Sequence, residues 1–152
     1  MVAAVDCAFM QEESLVAAKE EIASFIKASF PHGKMTVEEV GNRSATIRQK
    51  IGATELRPGG TVAGPVLMGL ADAALYVALL GEIGIVPLAV TTNLNINFLR
   101  KPSASNDIIA VCKLIKVGKL LAIGEVSLYS EGQSEPVAHA VGTYAIPPNR
   151  DG

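Results

Sequence analysis

The chain has 152 residues, of which 49% are hydrophobic and 18% charged, with a formal net charge of −2. That length suits one domain with a sizeable core, expected to span residues 1–152, and the charge balance excludes bulk attraction to nucleic acid. Cys7 and Cys112 lie far apart, which supports neither a disulfide framework nor a metal site; no metal or separate cofactor is expected, and the expected location is a reducing cytoplasm.

Residues 1–10 read as a lead-in. No basic region precedes the first apolar residues, and Asp6, Glu12 and Glu13 follow soon, so the start makes a poor signal peptide. Residues 11–29 have helical periodicity, with Leu15, Ala18, Ile22, Phe25 and Ile26 on one face. Glu12 and Glu13 in the first turn and Lys27 in the last suit the helix dipole. Pro31-His32-Gly33 ends the helix, which either docks on a sheet edge or flanks a pocket. Strands follow at 35–40 and 44–51, the second alternating cleanly, with Gly41-Asn42 as the turn between them.

Residues 57–65 form a loop rich in Gly and Pro. It lacks the Lys-Ser/Thr pair of a phosphate-binding P-loop. It leads into residues 65–82, which are rich in Ala, Leu and Met and apolar on every face. Such a helix is expected to be buried on every side. Its one charge before the terminal Glu82, Asp72, is expensive there unless hydrogen-bonded, paired or used. The stretch is long enough to cross a bilayer. The central carboxylate, the Gly and Pro residues and the absence of flanking basic clusters argue instead for a helix wrapped by a sheet and a partner subunit, with no membrane role.

Residues 90–100 alternate strictly. Val90, Thr92, Leu94, Ile96 and Phe98 share one face; Thr91, Asn93, Asn95, Asn97 and Leu99 share the other. Three further strands, 107–117, 120–130 and 136–146, are separated by turns at Gly118-Lys119 and Gly132, and 147–152 form a tail. The order is helix, two strands, long helix, four strands. That is an α+β fold: an antiparallel sheet wrapped around one helix.

This order resembles the hotdog-fold thioesterases of the PaaI-like family. The likeness is carried by Gly60-Thr61-Val62-Ala63-Gly64-Pro65 running on to Leu70-Ala71-Asp72, by the stretch from Thr91 to Arg100, by Gly118-Lys119, and by the closing His139-Ala140-Val141-Gly142-Thr143-Tyr144. It covers about residues 35–146. The resemblance implies hydrolysis of acyl-coenzyme A thioesters in a homodimer, often a dimer of dimers, with the site between subunits. Coenzyme A is then part of the substrate. Members usually read His-Gly-Gly where this chain has Ala63-Gly64-Pro65. The glycine whose backbone N–H meets the thioester carbonyl falls on Gly64, the acidic residue on Asp72, and a strand Ser or Thr on Thr91. Arg57 stands where some relatives carry a neutral Asn.

The chemistry suits these groups. A backbone N–H at a helix N-terminus can hold the developing oxyanion. A carboxylate can act as general base or as nucleophile, and both readings stay open. Gly64 and Asp72 lie about 12 Å apart along one helix, too far to share a carbonyl, so the pair implies two subunits. Thr91 is expected to hold the water, and Arg57 to lie near Asp72 and support its charge. Met68 and Tyr76 are expected to line the acyl tunnel, beside Ala63 and Asn93 on the substrate side. Arg100, Lys101, Lys116 and Lys119 are candidates for the coenzyme A phosphates. His32 and His139 are expected to form no pair with any nearby acid. A second reading is a non-catalytic acyl-coenzyme A binding module, favoured by Ala63 and Pro65. A hotdog dehydratase lacks its His beside Asp72.

Overall fold

The computed structural model describes residues 15–148. The lead-in, Glu12, Glu13, Cys7 and most of the tail lie outside the described residues. In chain order the elements are helix α1 (Lys19–Ser29), strands β1 (Met35–Gly41) and β2 (Ser44–Gln49), a short 3-10 turn (Ala53–Glu55), and strands β3 (Leu56–Arg57) and β4 (Thr61–Val62). Helix α2 (Gly64–Ile83) follows, then β5 (Val90–Phe98), β6 (Ile108–Val117), β7 (Leu121–Ser130) and β8 (Ala138–Ala145). Six strands form one antiparallel sheet in the order β1-β2-β6-β7-β8-β5. With α2 against it, this is the expected hotdog architecture.

The inner face of the sheet follows from two-residue periodicity. Ile108, Ala110, Cys112 and Leu114 on β6, Ala122, Val126 and Leu128 on β7, and Ala138, Ala140 and Tyr144 on β8 are all buried. Against them α2 buries Leu67, Leu70, Ala71, Ala74, Leu75, Val77, Ala78, Leu79, Leu80 and Gly81. The approach is closest at Leu75. Gly124 and Gly142 are cross-strand partners, and together they leave a slot for that side chain. A Cβ on Gly142 would meet Leu75 Cδ1 at 2.5 Å, and one on Gly124 would meet Leu75 Cδ2 at 2.7 Å.

Burial on every side of α2 does not hold within one chain. Pro65, Met68 and Gly69 are exposed, and Asp72, Ala73 and Tyr76 only half-buried. These positions step by three and four, so they form one stripe along the helix that the chain's own sheet leaves uncovered. The helix starts at Gly64 with Pro65 in its first turn, and stops at Gly84, whose φ of 90° suits a residue without a Cβ. It has the length and hydropathy of a membrane span, yet most of it packs on the sheet.

Three local expectations change. Val16 N–H donates to Gly81 O at 2.8 Å, which ties residues 15–18 to the end of α2 instead of letting them wind. Among the described residues the first helix therefore begins at Lys19, and the predicted residues 11–14 lie outside them. Its first-turn acids are therefore Glu20 and Glu21. The β1–β2 turn falls on Asn42-Arg43, because Gly41 and Ser44 still pair; Arg43 takes a φ of 54°, held by its N–H to Glu82 Oε1 at 2.7 Å. The third change is in β5. The register shifts between Thr91 and Asn93 against β8. This bulge breaks the strict alternation and turns Thr91 away from the Asn face towards α2.

Candidate active site

Asp72 sits on the uncovered stripe of α2, near the middle of the helix. Its carboxylate Oδ1 accepts from Tyr144 Oη at 2.7 Å and from Thr91 Oγ1. Tyr144 Oη also lies 3.1 Å from the main-chain carbonyl of Asp72. Thr91 and Tyr144 are opposite each other on β5 and β8, so one rung of the sheet supplies both hydroxyls. Tyr144 is 5% exposed and stacks on Tyr76, with ring centroids 5.8 Å apart and planes at 16°. Phe25 of α1 extends this aromatic group at 6.2 Å from Tyr76. Tyr76 Oη donates to Pro87 O at 3.2 Å, which fixes the ring beside Asp72. Burial raises the Tyr76 phenol, and raises Tyr144 far above the usual phenol range, with the neighbouring Asp72 charge adding to it. Tyr144 therefore stays protonated and donates.

Asp72, Tyr76, Thr91 and Tyr144 open on a cavity of about 1120 Å³ between α1, the start of β1, α2 and the start of β5. Ile26, Phe30, Met35, Val37, Ala73 and Val90 give it apolar walls, and among the described residues Asp72 is the one carboxylate lining it. Lys27 and His32 also line it. The first helix therefore does flank a pocket, the reading that its amphipathic pattern left open.

Gly64 heads the same helix. Its N–H lies at the first helical position, where no intrahelical carbonyl can accept it, and no described residue accepts it. The loop before it is fixed at Glu55. Ala63 N–H donates to Glu55 O at 2.9 Å, and the Glu55 carboxylate, buried, pairs with Lys34 Nζ at 2.7 Å. That pair and the Thr54 hydroxyl hold Glu55 below the usual carboxylate range. A Cβ on Gly64 would find Phe98 Cζ at 3.4 Å, an ordinary contact. Internal packing therefore does not require glycine at this position.

The other predicted site residues are dispersed. Ala63 is the N-cap of α2 and offers no side-chain cap. Arg57 is exposed on β3, paired with Thr61 at the Gly64 end of the helix; the side-chain partners of Asp72 are Thr91 and Tyr144, not Arg57. Met68 is exposed and lies outside the cavity lining. Asn93, with Asn95 and Asn97, points to the outer side of exposed β5. Arg100 pairs with Glu135 and donates to Pro136 O at 2.8 Å, so its charge is already compensated. Lys101 and Lys119 are exposed in loops, and Lys116 is exposed near the end of β6. His139 does have an acid partner: Glu125 Oε2 lies 3.3 Å from its Nε2. The two meet diagonally on the outer sheet face, opposite the side that carries Tyr144.

Tyr144 is the residue that sequence reasoning did not assign. The signal was present: Ala138, Ala140, Gly142 and Tyr144 share one strand face, and Tyr144 is the only hydroxyl on it.

The site is thus a carboxylate fixed by two hydroxyls on the wall of an apolar cavity, carried on the central helix of a hotdog fold. A family model described as the thioesterase superfamily matches residues 59–137. The chain belongs to that superfamily. A crystal structure from Silicibacter sp. TM1040, described as a putative thioesterase, is 38% identical over 91% of this chain and 97% of its own, with a TM-score of 0.82. The same fold occurs in zebrafish thioesterase superfamily member 2, 20% identical over 86% of this chain and 99% of its own, TM-score 0.77. It occurs also in a variant of the phenylacetic acid degradation protein PaaI from Thermus thermophilus, 24% identical over 82% of this chain and 99% of its own, TM-score 0.67. No curated protein gives a significant match. Thioester hydrolysis is the activity class that this membership supports.

Proposed function

We propose that the chain hydrolyses acyl-coenzyme A thioesters, with small to medium acyl or aryl-acyl groups, as a cytoplasmic homodimer. The observation that carries the reading is Asp72, among the described residues the single carboxylate on the wall of the 1120 Å³ cavity. The acyl group occupies the apolar walls. Asp72 acts on the thioester carbonyl either directly as nucleophile or by taking a proton from water. In the second route the water oxygen bonds to the carbonyl carbon, the C–S bond pair goes to sulfur, and the thiolate takes up the proton. The products are the free acid and coenzyme A.

The oxyanion donor is the backbone N–H of Gly64 of the partner subunit. Its own Gly64 lies about 12 Å away along α2. Two features support a two-fold pairing. Strand β5 is an edge strand with its residues exposed or half-buried, and such an edge invites a second strand. The uncovered stripe of α2, small and apolar around Asp72, invites a second helix. The same pairing carries Arg57 of the partner subunit, which pairs with Thr61 just ahead of α2, towards Asp72. Lys27 and His32 at the cavity wall, with Lys101 and Lys119 outside it, are the groups on offer to the coenzyme A phosphates. A dimer of dimers is the proposed larger assembly.

The test is thiol release from a panel of acyl-coenzyme A esters, with short, medium, benzoyl and phenylacetyl groups, by wild type and Asp72→Asn. Turnover by the wild type that the variant loses supports the reading. Binding of the esters without turnover by either protein replaces it with a binding module.

A further inference from the structure

The two carboxylate oxygens of Asp72 have different surroundings. Tyr144 Oη donates to Oδ1 at 2.7 Å, and Thr91 Oγ1 donates to the same atom. Oδ2 receives no donor from the described residues, while Asp72 as a whole lines the cavity. The two hydroxyls are not independent accidents. They stand on one rung of the β5–β8 ladder, and Thr91 faces the helix only because of the bulge beside it. The phenol cannot swing away: its ring is buried and stacked on Tyr76. Nor does it lose its proton in neutral or mildly alkaline solution, because burial holds it protonated.

We infer that Tyr144 is a positioning residue which, together with Thr91, pins Oδ1 of Asp72 and so makes Oδ2 the reacting oxygen. The inference rests on the Asp72 reading above. A carboxylate's last torsion is broad and two-fold, so an unpinned Asp72 would present either oxygen over a range of angles. Two donors on one oxygen remove that freedom and leave the free lone pairs of the other directed at the cavity. The assignment holds for either route. As base, Oδ2 takes the water proton; as nucleophile, Oδ2 forms the bond to the carbonyl carbon while the C–S pair leaves with sulfur, and water then cleaves the anhydride. Thr91 on this account orients the carboxylate, not the water.

Tyr144→Phe keeps the ring and its stacking and removes the hydroxyl alone. The expected result is a fall in kcat of about tenfold to a hundredfold, the range for losing one hydrogen bond to a charged group. KM stays within about twofold, because substrate binding is not what the hydroxyl serves. Thr91→Val lowers kcat in the same way. In an Asp72→Asn background Tyr144→Phe has no further effect on the residual rate, since no reacting oxygen is left to position. A Tyr144→Phe enzyme with wild-type kcat overturns the inference. So does a loss that appears mainly in KM, or one that persists by the same factor in the Asp72→Asn background. Those outcomes leave the Asp72 reading intact. Wild-type turnover by Asp72→Asn alone is the separate result that removes that reading.

Discussion

Gly142 lies one alternation from Tyr144 on β8, and Leu75 lies one helical turn from Asp72. Their contact therefore sets the height of α2 over the sheet where the site is built. Gly142→Ala would place its Cβ 2.5 Å from Leu75 Cδ1 and 3.1 Å from Leu94 Cδ1, with the Asn93 carbonyl at 3.3 Å. The other methyl of Leu75 already lies against Gly124, close enough that a Cβ added there would stand 2.7 Å from it, so a shift in that direction is limited. Overpacking of this kind costs about 1–3 kcal/mol. For a chain of this size that lowers the thermal midpoint by roughly 3–10 °C. Urea and thermal unfolding measure the loss. The cause is tested in a double-mutant cycle with Leu75→Ala, which alone costs about 2–5 kcal/mol. With the leucine gone, Gly142→Ala becomes neutral or stabilises by roughly 0.5 kcal/mol, the ordinary benefit of replacing an interior glycine. An unchanged midpoint in the single variant, or an equal loss in both backgrounds, would refute the slot. Turnover should fall with the single variant, because raising α2 lengthens the 2.7 Å bond from Tyr144 to Asp72.

Further outcomes follow from other positions. Gly69 lies mid-helix beside Asp72 with nothing within 4 Å of an added Cβ; Gly69→Ala raises stability by about 1 kcal/mol in the isolated chain, and a fall in thermal midpoint instead would show that something outside the chain packs there. Glu55→Gln lowers stability at neutral pH by breaking the Lys34 pair. The Glu55 carboxyl is held below its ordinary value in the folded state, so that contribution is present above the unfolded carboxylate range and is lost as pH falls through the folded one; the gap in urea midpoint between wild type and variant must therefore close on acidification. The Cys112 thiol is pushed up to about 12 by burial, so in a Cys7→Ser variant a thiol reagent at pH 8 leaves the native protein unmodified and reacts once it is unfolded.

The fold was legible because its main elements obey their periods. The helix at 65–82 and the four closing strands each lie within two residues of their predicted bounds, since apolar runs and Gly or Pro punctuation decide them locally. What escaped depends on contacts across the chain. The unwinding of Leu15–Ala18 comes from a backbone bond to Gly81, a residue far along the sequence. The β5 bulge comes from pairing with β8, and no property of Thr91 or Thr92 announces it; strict alternation put Thr91 on the Asn face. The site was legible in part. Asp72 stood out as a lone charge in an apolar helix, and Thr91 came from the resemblance. Tyr144 was hidden because a phenol on a strand reads as core until the helix opposite it is known. The basic residues chosen for the phosphates were chosen by position along strands, and Arg100 turned out to be satisfied by Glu135.

The central claim is that Asp72 of one subunit works with the Gly64 N–H of the other. Gly64→Pro removes that N–H at a first-turn position where proline is tolerated, and Asp72→Asn removes the carboxylate. Each variant alone forms dimers with no intact site. Mixed and reassembled in equal amounts, they give mixed dimers in which one of the two sites has both groups. The account predicts that two inactive proteins regain about one quarter of wild-type acyl-coenzyme A turnover on mixing. No recovery from dimers shown to have exchanged subunits, or full activity in Gly64→Pro alone, would contradict it.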